Sequence, residues 1–272
     1  MTTALDIVIV NFNTAGDLRA CLRSLHDAPP ARAHTICVVD NASTDGSQAM
    51  VETEFPNVTL LPRERNVGFA AANNVGIRST NAPLVLLLNS DTIVPAGALD
   101  QLIDRLESTG AVAAGPRLVN LRGQPEVSWG PMLTPLGEAR QSLRVRLAGS
   151  AASWARARVE RWTTVERQVD WVTGACLLVR RGAAEAVGLL DERYFMYEED
   201  VDFCAALRAN GGRVLFAPSA EVVHRRGGSF AAAGGAASPL YDRSHLAFYE
   251  KHAPQWVPWL RLWLTLRGRQ AR

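Results

Sequence analysis

Lysine is almost missing from this chain: Lys251 is the only one, and the other 28 of its 29 basic residues are arginine. A genome rich in G+C would give that bias as readily as a need for guanidinium groups, so composition alone leaves both readings open. Net charge is also scarce, at +2, which removes any global electrostatic case for a nucleic-acid partner. No apolar run reaches about 18 residues, so no membrane span is expected. The four cysteines, Cys21, Cys37, Cys176 and Cys204, lack C-x-x-C spacing and lie in apolar segments. They read as buried reduced thiols rather than a disulfide framework or a zinc site. No basic n-region or cleavable apolar stretch opens the sequence, so no secretory signal is expected and the cytoplasm is the expected compartment. No repeat of solenoid period is present.

The 272 residues, 47% hydrophobic and 21% charged, suit one enzyme-sized α/β unit or two closely packed halves. Short β-branched runs at 7–10, 35–39, 58–61, 84–88 and 112–114 alternate with amphipathic stretches at 18–26, 46–55, 70–79 and 98–107. That alternation predicts βαβ units and a mostly parallel sheet covered on both faces. After Pro116 the pattern changes. Residues 120–168 are polar, then Arg-rich over 136–168, and read as an excursion from the core. A second block over 169–224 predicts strands at 175–179, 214–217 and 221–224, with helices near 183–187 and 201–210. The expected organisation is a domain over 1–230, with halves 1–116 and 117–230, then a loop and amphipathic tail over 231–272.

Ligands of open α/β sheets bind where strand carboxyl ends converge. There the sequence places Asn11 and Asn13, then Asp40, Asn41 and Ser43, then Asn66 and Gly68, then Asn89, Ser90 and Asp91. Turn and cap chemistry explains any one of these residues, but four successive strand ends are harder to explain that way. Asp40 is placed to accept the imide N–H of a pyrimidine, with helix capping as the alternative. Gly68 would let backbone N–H groups approach a diphosphate, or simply serve a loop-to-helix turn. Asp91 ends a fully apolar strand as a hard oxygen ligand for a divalent cation, or as a turn residue ahead of Pro95. The run Tyr197-Glu198-Glu199-Asp200-Val201-Asp202 holds four acids, more than a helix dipole needs, and their repulsion suits a general base. His224, followed by Arg225 and Arg226, is a Mn²⁺ ligand candidate beside diphosphate-binding groups, or a structural histidine.

As a set, these motifs resemble the family-2 inverting glycosyltransferases, in the rhamnosyltransferase-like branch. The stretches that carry the resemblance run from Ile7-Val-Ile-Val-Asn-Phe-Asn13 through Val38-Val-Asp-Asn-Ala-Ser43, Asn66-Val-Gly-Phe69, Asn73-Asn-Val-Gly76 and Leu88-Asn-Ser-Asp91. They continue through Trp171-Val-Thr-Gly-Ala175, Asp191-Glu-Arg-Tyr-Phe195 and Glu199-Asp-Val-Asp202 to His224, covering roughly residues 5–228. The resemblance implies a GT-A fold, a nucleotide-binding α/β half against an acceptor half. It implies that Asp40 reads the base, with Asn11, Asn13, Asn41, Ser43, Asn66, Gly68 and Asn73 around the donor. Asp91 and His224 would hold Mg²⁺ or Mn²⁺, Asp200 would be the base, and Trp171, Thr173, Gly174 and Glu199 would shape the sugar and acceptor pocket. One departure is Asn89, where the family's metal motif often has a second Asp; fewer charges would then hold the cation.

The implied partners are a nucleotide-diphosphate sugar, with dTDP-rhamnose first and UDP-galactofuranose behind it, and a glycan or lipid-linked acceptor. Oligomeric state is open. A nicotinamide oxidoreductase would need G-x-G-x-x-G where Asn11-Phe-Asn-Thr-Ala-Gly16 stands, and a sugar nucleotidylyltransferase a Gly-rich basic loop. A catalytically dead nucleotide-sugar binder would not need Asp91, Asp200 and His224 together. In the tail, Trp256, Trp259, Leu260, Trp263 and Leu264 fall on one helical face, with Arg261, Arg267, Arg269 and Arg272 beside it. Two readings stand: a terminal helix packed on the domain, or an interfacial helix docking a peripheral protein on the inner face of the plasma membrane. Trp154 and Trp162 in the Arg-rich stretch are candidates for a second contact.

Overall fold

The computed structural model describes residues 3–150, 152–225 and 237–266. Four strands form the parallel heart of one sheet: β1 (Leu5–Asn11), β2 (His34–Asp40), β3 (Thr59–Pro62) and β4 (Leu84–Asn89), in the order β3-β2-β1-β4. Helices α1 (Ala15–Asp27), α2 (Ser47–Glu54) and α3 (Phe69–Arg78) connect them. Both faces are covered, so β1 is buried along its whole length and reads as continuous apolar sequence. Side-chain alternation divides the core. Leu5, Ile7, Ile9, Leu86 and Leu88 join one apolar layer, while Val8, Val10, Val85 and Leu87 join the other.

Short β5 (Thr92–Ile93) and helix α4 (Ala98–Thr109) lead to β6 (Ala113–Val119). The expected parallel run does not continue from β4 to β6. β10 (Cys176–Arg180) lies between them, antiparallel to both, so the later block supplies a strand to the same sheet. Strand order is non-local and no local pattern revealed it. The strands predicted at 214–217 and 221–224 are one, β11 (Val214–His224), parallel to β6 with a register shift between Ala217 and Glu221. Its end pairs with β5, setting His224 opposite Thr92.

The Arg-rich excursion is two helices, α5 (Pro135–Ala148) and α6 (Ser153–Thr163). Thr134 caps α5 by accepting from Gly137 N at 3.1 Å, with Pro135 at the first turn. The guanidinium groups of Arg144 and Arg167 both approach the Trp129 ring, each 4.7 Å from its centre. Strands β7 (Trp129–Gly130), β8 (Arg167–Val169) and β9 (Trp171–Val172) and helices α7 (Arg181–Ala186) and α8 (Glu199–Ala209) complete the second block. Beyond it, helix α9 (Ala237–His252), expected only as loop and tail, packs Phe248 and Tyr249 against Leu133, Tyr194 and Val201.

Helix α10 (Val257–Leu266) splits the single face expected of the tail. Leu264 is buried and Val257 and Leu260 pack on the Phe248–Tyr249 cluster, but Trp256, Trp259, Leu262, Trp263 and Leu266 stay exposed. The apolar sector is wider than the surface that receives it. Trp162 corrects the expectation of a second outer contact: it packs against an apolar core layer beneath Arg158, while Trp154 is exposed. Arg226, Gly227, the glycine-rich stretch after it, and Arg267, Arg269 and Arg272 lie outside the described residues. The four cysteines are buried and unpaired, and burial pushes the thiols of Cys21 and Cys204 up to about 12. Among the described residues no helix is long and apolar enough to cross a membrane.

Candidate active site

A cavity of about 520 Å³ opens at the carboxyl ends of β1 and β4. Asn41, Asn66, Gly68, Asn89, Ser90, Trp171, Thr173, Gly174, Glu199, Asp200 and His224 line it. Asn11, Asn13, Asp40, Ser43, Asn73 and Asp91 do not line it but adjoin residues that do. The sequence candidates therefore form two tiers, and hydrogen bonds join them.

The rear tier begins at Asp40, which is fully buried. Its Oδ1 accepts from Ser43 N at 2.9 Å and Gln48 Nε2 at 2.7 Å, and its Oδ2 accepts from Asn11 Nδ2 at 2.9 Å. Asn11 also donates to Ser43 Oγ, and Asn13, at φ 53°, accepts from Thr44 N. Three donors leave the Asp40 carboxylate one lone pair on Oδ2. Asn41 knits the next loop by donating to Asn66 Oδ1 at 2.9 Å and Gly68 O at 3.2 Å while accepting from Val67 N. Gly68 has a sharper requirement than a phosphate approach. It sits at φ +89°, and a Cβ there would lie 2.5 Å from the carbonyl oxygen of Phe195. Asn73 donates to Phe69 O, with its own Oδ1 buried and unpartnered among the described residues.

At the far side, β5–β11 pairing brings His224 Nε2 within 3.2 Å of Asp91 Oδ1, and His224 Nδ1 within 3.2 Å of Glu126 Oε2. Burial opposes charge on this imidazole, but the two carboxylates outweigh it and push its pKa up to about 9. Apart from that imidazole Asp91 Oδ1 has no partner among the described residues, and the buried Asn89 Oδ1 has none. A carboxylate whose contact is this imidazole, with an unpartnered amide oxygen nearby, is a donor set that fits a divalent cation once the imidazole gives up its proton to free a ring nitrogen. Among the described residues no group of three His, Cys, Asp or Glu side chains makes a fuller cage. Arg225, expected to face a diphosphate, instead pairs with Asp17 at 3.0 Å.

The acidic run enters α8 through a turn with two consecutive left-handed residues, Tyr197 at φ 71° and Glu198 at φ 66°. Each costs about 1–3 kcal/mol in a non-glycine residue, so other contacts must hold them. Asp200 follows at the cavity wall. Its Oδ2 accepts from Gly174 N at 2.8 Å and its Oδ1 from Val201 N at 2.8 Å. Burial, with the Glu198 charge adding to it, outweighs these bonds and pushes the Asp200 carboxyl up to about 6. Glu199 is raised well above the usual range, by burial first and the Asp200 charge second, and its Oε2 has no partner among the described residues. Repulsion within the acidic run was the expected cause; desolvation is the larger one. Trp171 is fixed by donating its indole N–H to Pro131 O at 2.8 Å, and Thr173 N donates to Ser128 O.

Sequence reasoning missed three further contributors. Glu126 faces His224 from a stretch with no strand or helix pattern. Half-buried Glu138 on α5 and buried His245 on α9 form a network with buried Glu198. Tyr241, His245 and Tyr249 recur every four residues, a helical-face signal that a search for purely apolar periodicity passes over.

Comparison with known proteins gives this geometry a context. The family described as Glycosyl transferase family 2 matches residues 6–188. An N-acetylglucosaminyl-diphospho-decaprenol L-rhamnosyltransferase from Mycobacterium tuberculosis is 33% identical, over 98% of this chain and 91% of its own length. The low-salt glycan biosynthesis hexosyltransferase Agl10 from Haloferax volcanii is 26% identical over 83% of this chain and 68% of its own. Among solved structures, GalNAc-T7 with UDP, GalNAc and Mn²⁺ superposes with TM-score 0.64 at 14% identity, over 91% of this chain and 48% of that one. This chain thus spans about half of that protein. The mannosyltransferase PcManGT from Pyrobaculum calidifontis, with GDP-Man and Mn²⁺, gives TM-score 0.62 at 17% identity, over 96% and 69% of the two chains. The fold is of the GT-A type.

Proposed function

The chain belongs to glycosyl transferase family 2, in its rhamnosyltransferase-like branch, and we propose that it transfers a sugar with inversion from a nucleotide diphosphate to an acceptor hydroxyl. The observation that carries this reading is Asp200, a carboxylate in the cavity wall whose pKa of about 6 leaves it ionised yet basic near neutrality. Asp200 takes the proton of the acceptor hydroxyl, the acceptor oxygen bonds to the anomeric carbon, and the bond from that carbon to the diphosphate oxygen breaks. A single displacement inverts the anomeric centre. Asp91 and His224, with Asn89 beside them, are the residues that would hold Mg²⁺ or Mn²⁺, whose charge when bound offsets that of the departing diphosphate. Asp40 keeps one acceptor lone pair, but it is fully buried off the cavity lining, so a pyrimidine N–H reaches it only when that wall opens; Asn41, Asn66 and Gly68 line the donor side.

The 33% identical relative is named for rhamnose transfer to a decaprenol-linked acceptor, which supports dTDP-rhamnose as donor and a lipid-linked precursor as acceptor. Turnover of a nucleotide-sugar panel, read as nucleotide diphosphate release with and without a polyprenyl-diphosphate sugar, tests this. Release from no donor in the panel overturns the reading. Retention of anomeric configuration in the product, read by NMR, overturns the mechanism.

A lipid-linked acceptor places the enzyme at a membrane surface. Trp259 is 66% exposed and Leu266 78%; Trp263 and Leu262 accompany them on a helix whose other side is anchored by Leu264, and exposed Trp256 lies in the turn just before it. Tryptophan favours the headgroup region, and arginines at 261, 267, 269 and 272 suit anionic lipid. Full-length protein is expected to sediment with phosphatidylcholine–phosphatidylglycerol vesicles at low salt, and Trp259→Glu/Leu266→Glu to remain in the supernatant while keeping its fold. Equal sedimentation of the two proteins refutes this docking face.

A further inference from the structure

The acidic turn ahead of Asp200 is gripped from outside by two neighbouring residues of α9. Ser244 Oγ donates to Met196 O at 2.7 Å, and His245 Nδ1 lies 3.0 Å from Glu198 Oε1. These grips bracket Tyr197, so they bear on the two left-handed residues of the turn. The other nitrogen of His245, Nε2, lies 3.3 Å from Glu138 Oε2 on α5. Ionised carboxylates only accept hydrogen bonds, so an imidazole facing one on each side must donate from both nitrogens and carry a charge. Its surroundings hold it in place. The Tyr241 ring stacks on it at 5.3 Å and 17°, and the Tyr249 ring sits 5.1 Å away on the same helix. Tyr249 in turn donates its hydroxyl to Glu138. His245 and Glu198, both buried, and Glu138, a third exposed, thus form one acid–imidazolium–acid bridge linking α9, α5 and the start of α8.

Glu198 lines the cavity, and its carbonyl accepts the first hydrogen bond of α8, from Asp202 N at 2.9 Å. Whatever fixes Glu198 therefore fixes the direction in which α8 starts and the point from which Asp200 faces the cavity. We propose that His245 is a positioning residue, an imidazolium locked between Glu138 and Glu198 that holds the Tyr197–Glu198 turn in the shape that aims Asp200 at the acceptor. Burial works against the charge of His245, but the two carboxylates outweigh it and push its pKa up to about 9, so the bridge is intact at neutral pH. The inference rests on the reading of Asp200 as general base.

Two measurements on the full chain test it, with dTDP-rhamnose and Mg²⁺ as the probe. In His245→Gln one hydrogen bond survives but the cation is lost. Amide exchange over 196–202 is expected to quicken at least tenfold, kcat for dTDP release to fall about thirtyfold or more, and the dissociation constant for dTDP-rhamnose to stay within threefold. A residue that only supported the fold would lower binding and turnover together and would speed exchange throughout the sheet. Glu138→Gln, further from the cavity, weakens the same bridge and is expected to lower kcat about fivefold with binding unchanged, which serves if His245→Gln does not fold. Unchanged exchange over 196–202 overturns the proposal, as does unchanged kcat or a parallel loss of binding. Wild-type protein that releases no dTDP strikes the donor assignment instead, and the exchange measurement then decides this inference alone.

Discussion

Replacing Asp200 by Asn separates chemistry from stability, and the two effects run in opposite directions. Asn keeps the shape but cannot take a proton, so turnover is expected to fall by about 10²–10⁴ with donor binding retained. The wild-type carboxyl, raised from 3.8 to about 6, carries a cost of its own. About two pKa units at ~1.4 kcal/mol each is at most about 3 kcal/mol, and contact with solvent in the cavity lowers that to about 1–2 kcal/mol. The sign follows from linkage. Because the folded pKa lies above the unfolded one, the stability associated with protonated Asp200 is fully present below about 4 and is lost as pH rises through about 6. The variant has no such slope. It is also expected to leave Gly174 N–H or Val201 N–H facing an amide N–H, a penalty independent of pH. The informative quantity is therefore the change with pH in the difference between the two proteins. Urea unfolding at pH 4.5 and pH 7.5 should show Asp200→Asn gaining about 1 kcal/mol relative to wild type, the part of the effect that falls in that interval. Over the same interval the kcat of the wild type should climb through an apparent pKa near 6 that the variant lacks. A flat stability difference, or a variant with more than about a tenth of wild-type turnover, would refute the assignment of Asp200 as a buried general base.

Chelation is expected to abolish turnover and added Mg²⁺ or Mn²⁺ to restore it, while Asp91→Ala weakens donor binding only when metal is present; calorimetry that finds the same loss in chelator removes Asp91 from the metal role. Gly68→Ala forces a side chain into φ +89° and against the Phe195 carbonyl, and should cost about 2–4 kcal/mol in denaturant unfolding. A loss within the ±0.5 kcal/mol of an ordinary surface substitution would mean the turn relaxes freely. Buried Asp6 accepts from Thr35 Oγ1, Ala82 N and Arg181 Nη2, the last at 3.0 Å, so Asp6→Ala leaves Ala82 N unpaired and removes the buried counter-charge of Arg181, which keeps its bonds to Ile77 O, Ala82 O and Thr80 Oγ1; the loss should be about 3–5 kcal/mol. A midpoint that does not move under thermal unfolding would show that water reaches Arg181 in the variant.

The parallel heart of the sheet was legible because β1, β4 and the second half of β2 are short runs buried on both faces, and each apolar run stops at a polar residue at its carboxyl end. Asn11, Asp40 and Asn89 are those stops, and the strands end on them. Their placement at one edge therefore follows from local pattern together with the rule that parallel strands point the same way. What local pattern does not contain is which partner a stop residue meets. Asp40 looks equally available in sequence whether or not Asn11, Ser43 and Gln48 occupy three of its lone pairs. Gly68 reads as a phosphate-approach glycine until the Phe195 carbonyl arrives from a distant turn. The antiparallel place of β10 between β4 and β6 belongs to the same class, because strand order is decided by contacts far apart in the chain.

Charge was legible in kind but not in cause. Four acids in five residues announced a perturbed carboxylate, and repulsion was the obvious source. Burial contributes more, and burial of that segment depends on α9, a helix in a stretch that reads as loop and tail. The aromatic and imidazole residues that bring α9 onto the turn, at 241, 245 and 249, are neither apolar enough to register as a core face nor clustered enough to register as a site. They hold residues that hold the reactive group. Their side chains are chosen for the shape and charge of a partner elsewhere in the fold, so a single sequence shows the carboxylate at the strand or helix end long before it shows what keeps that carboxylate in place.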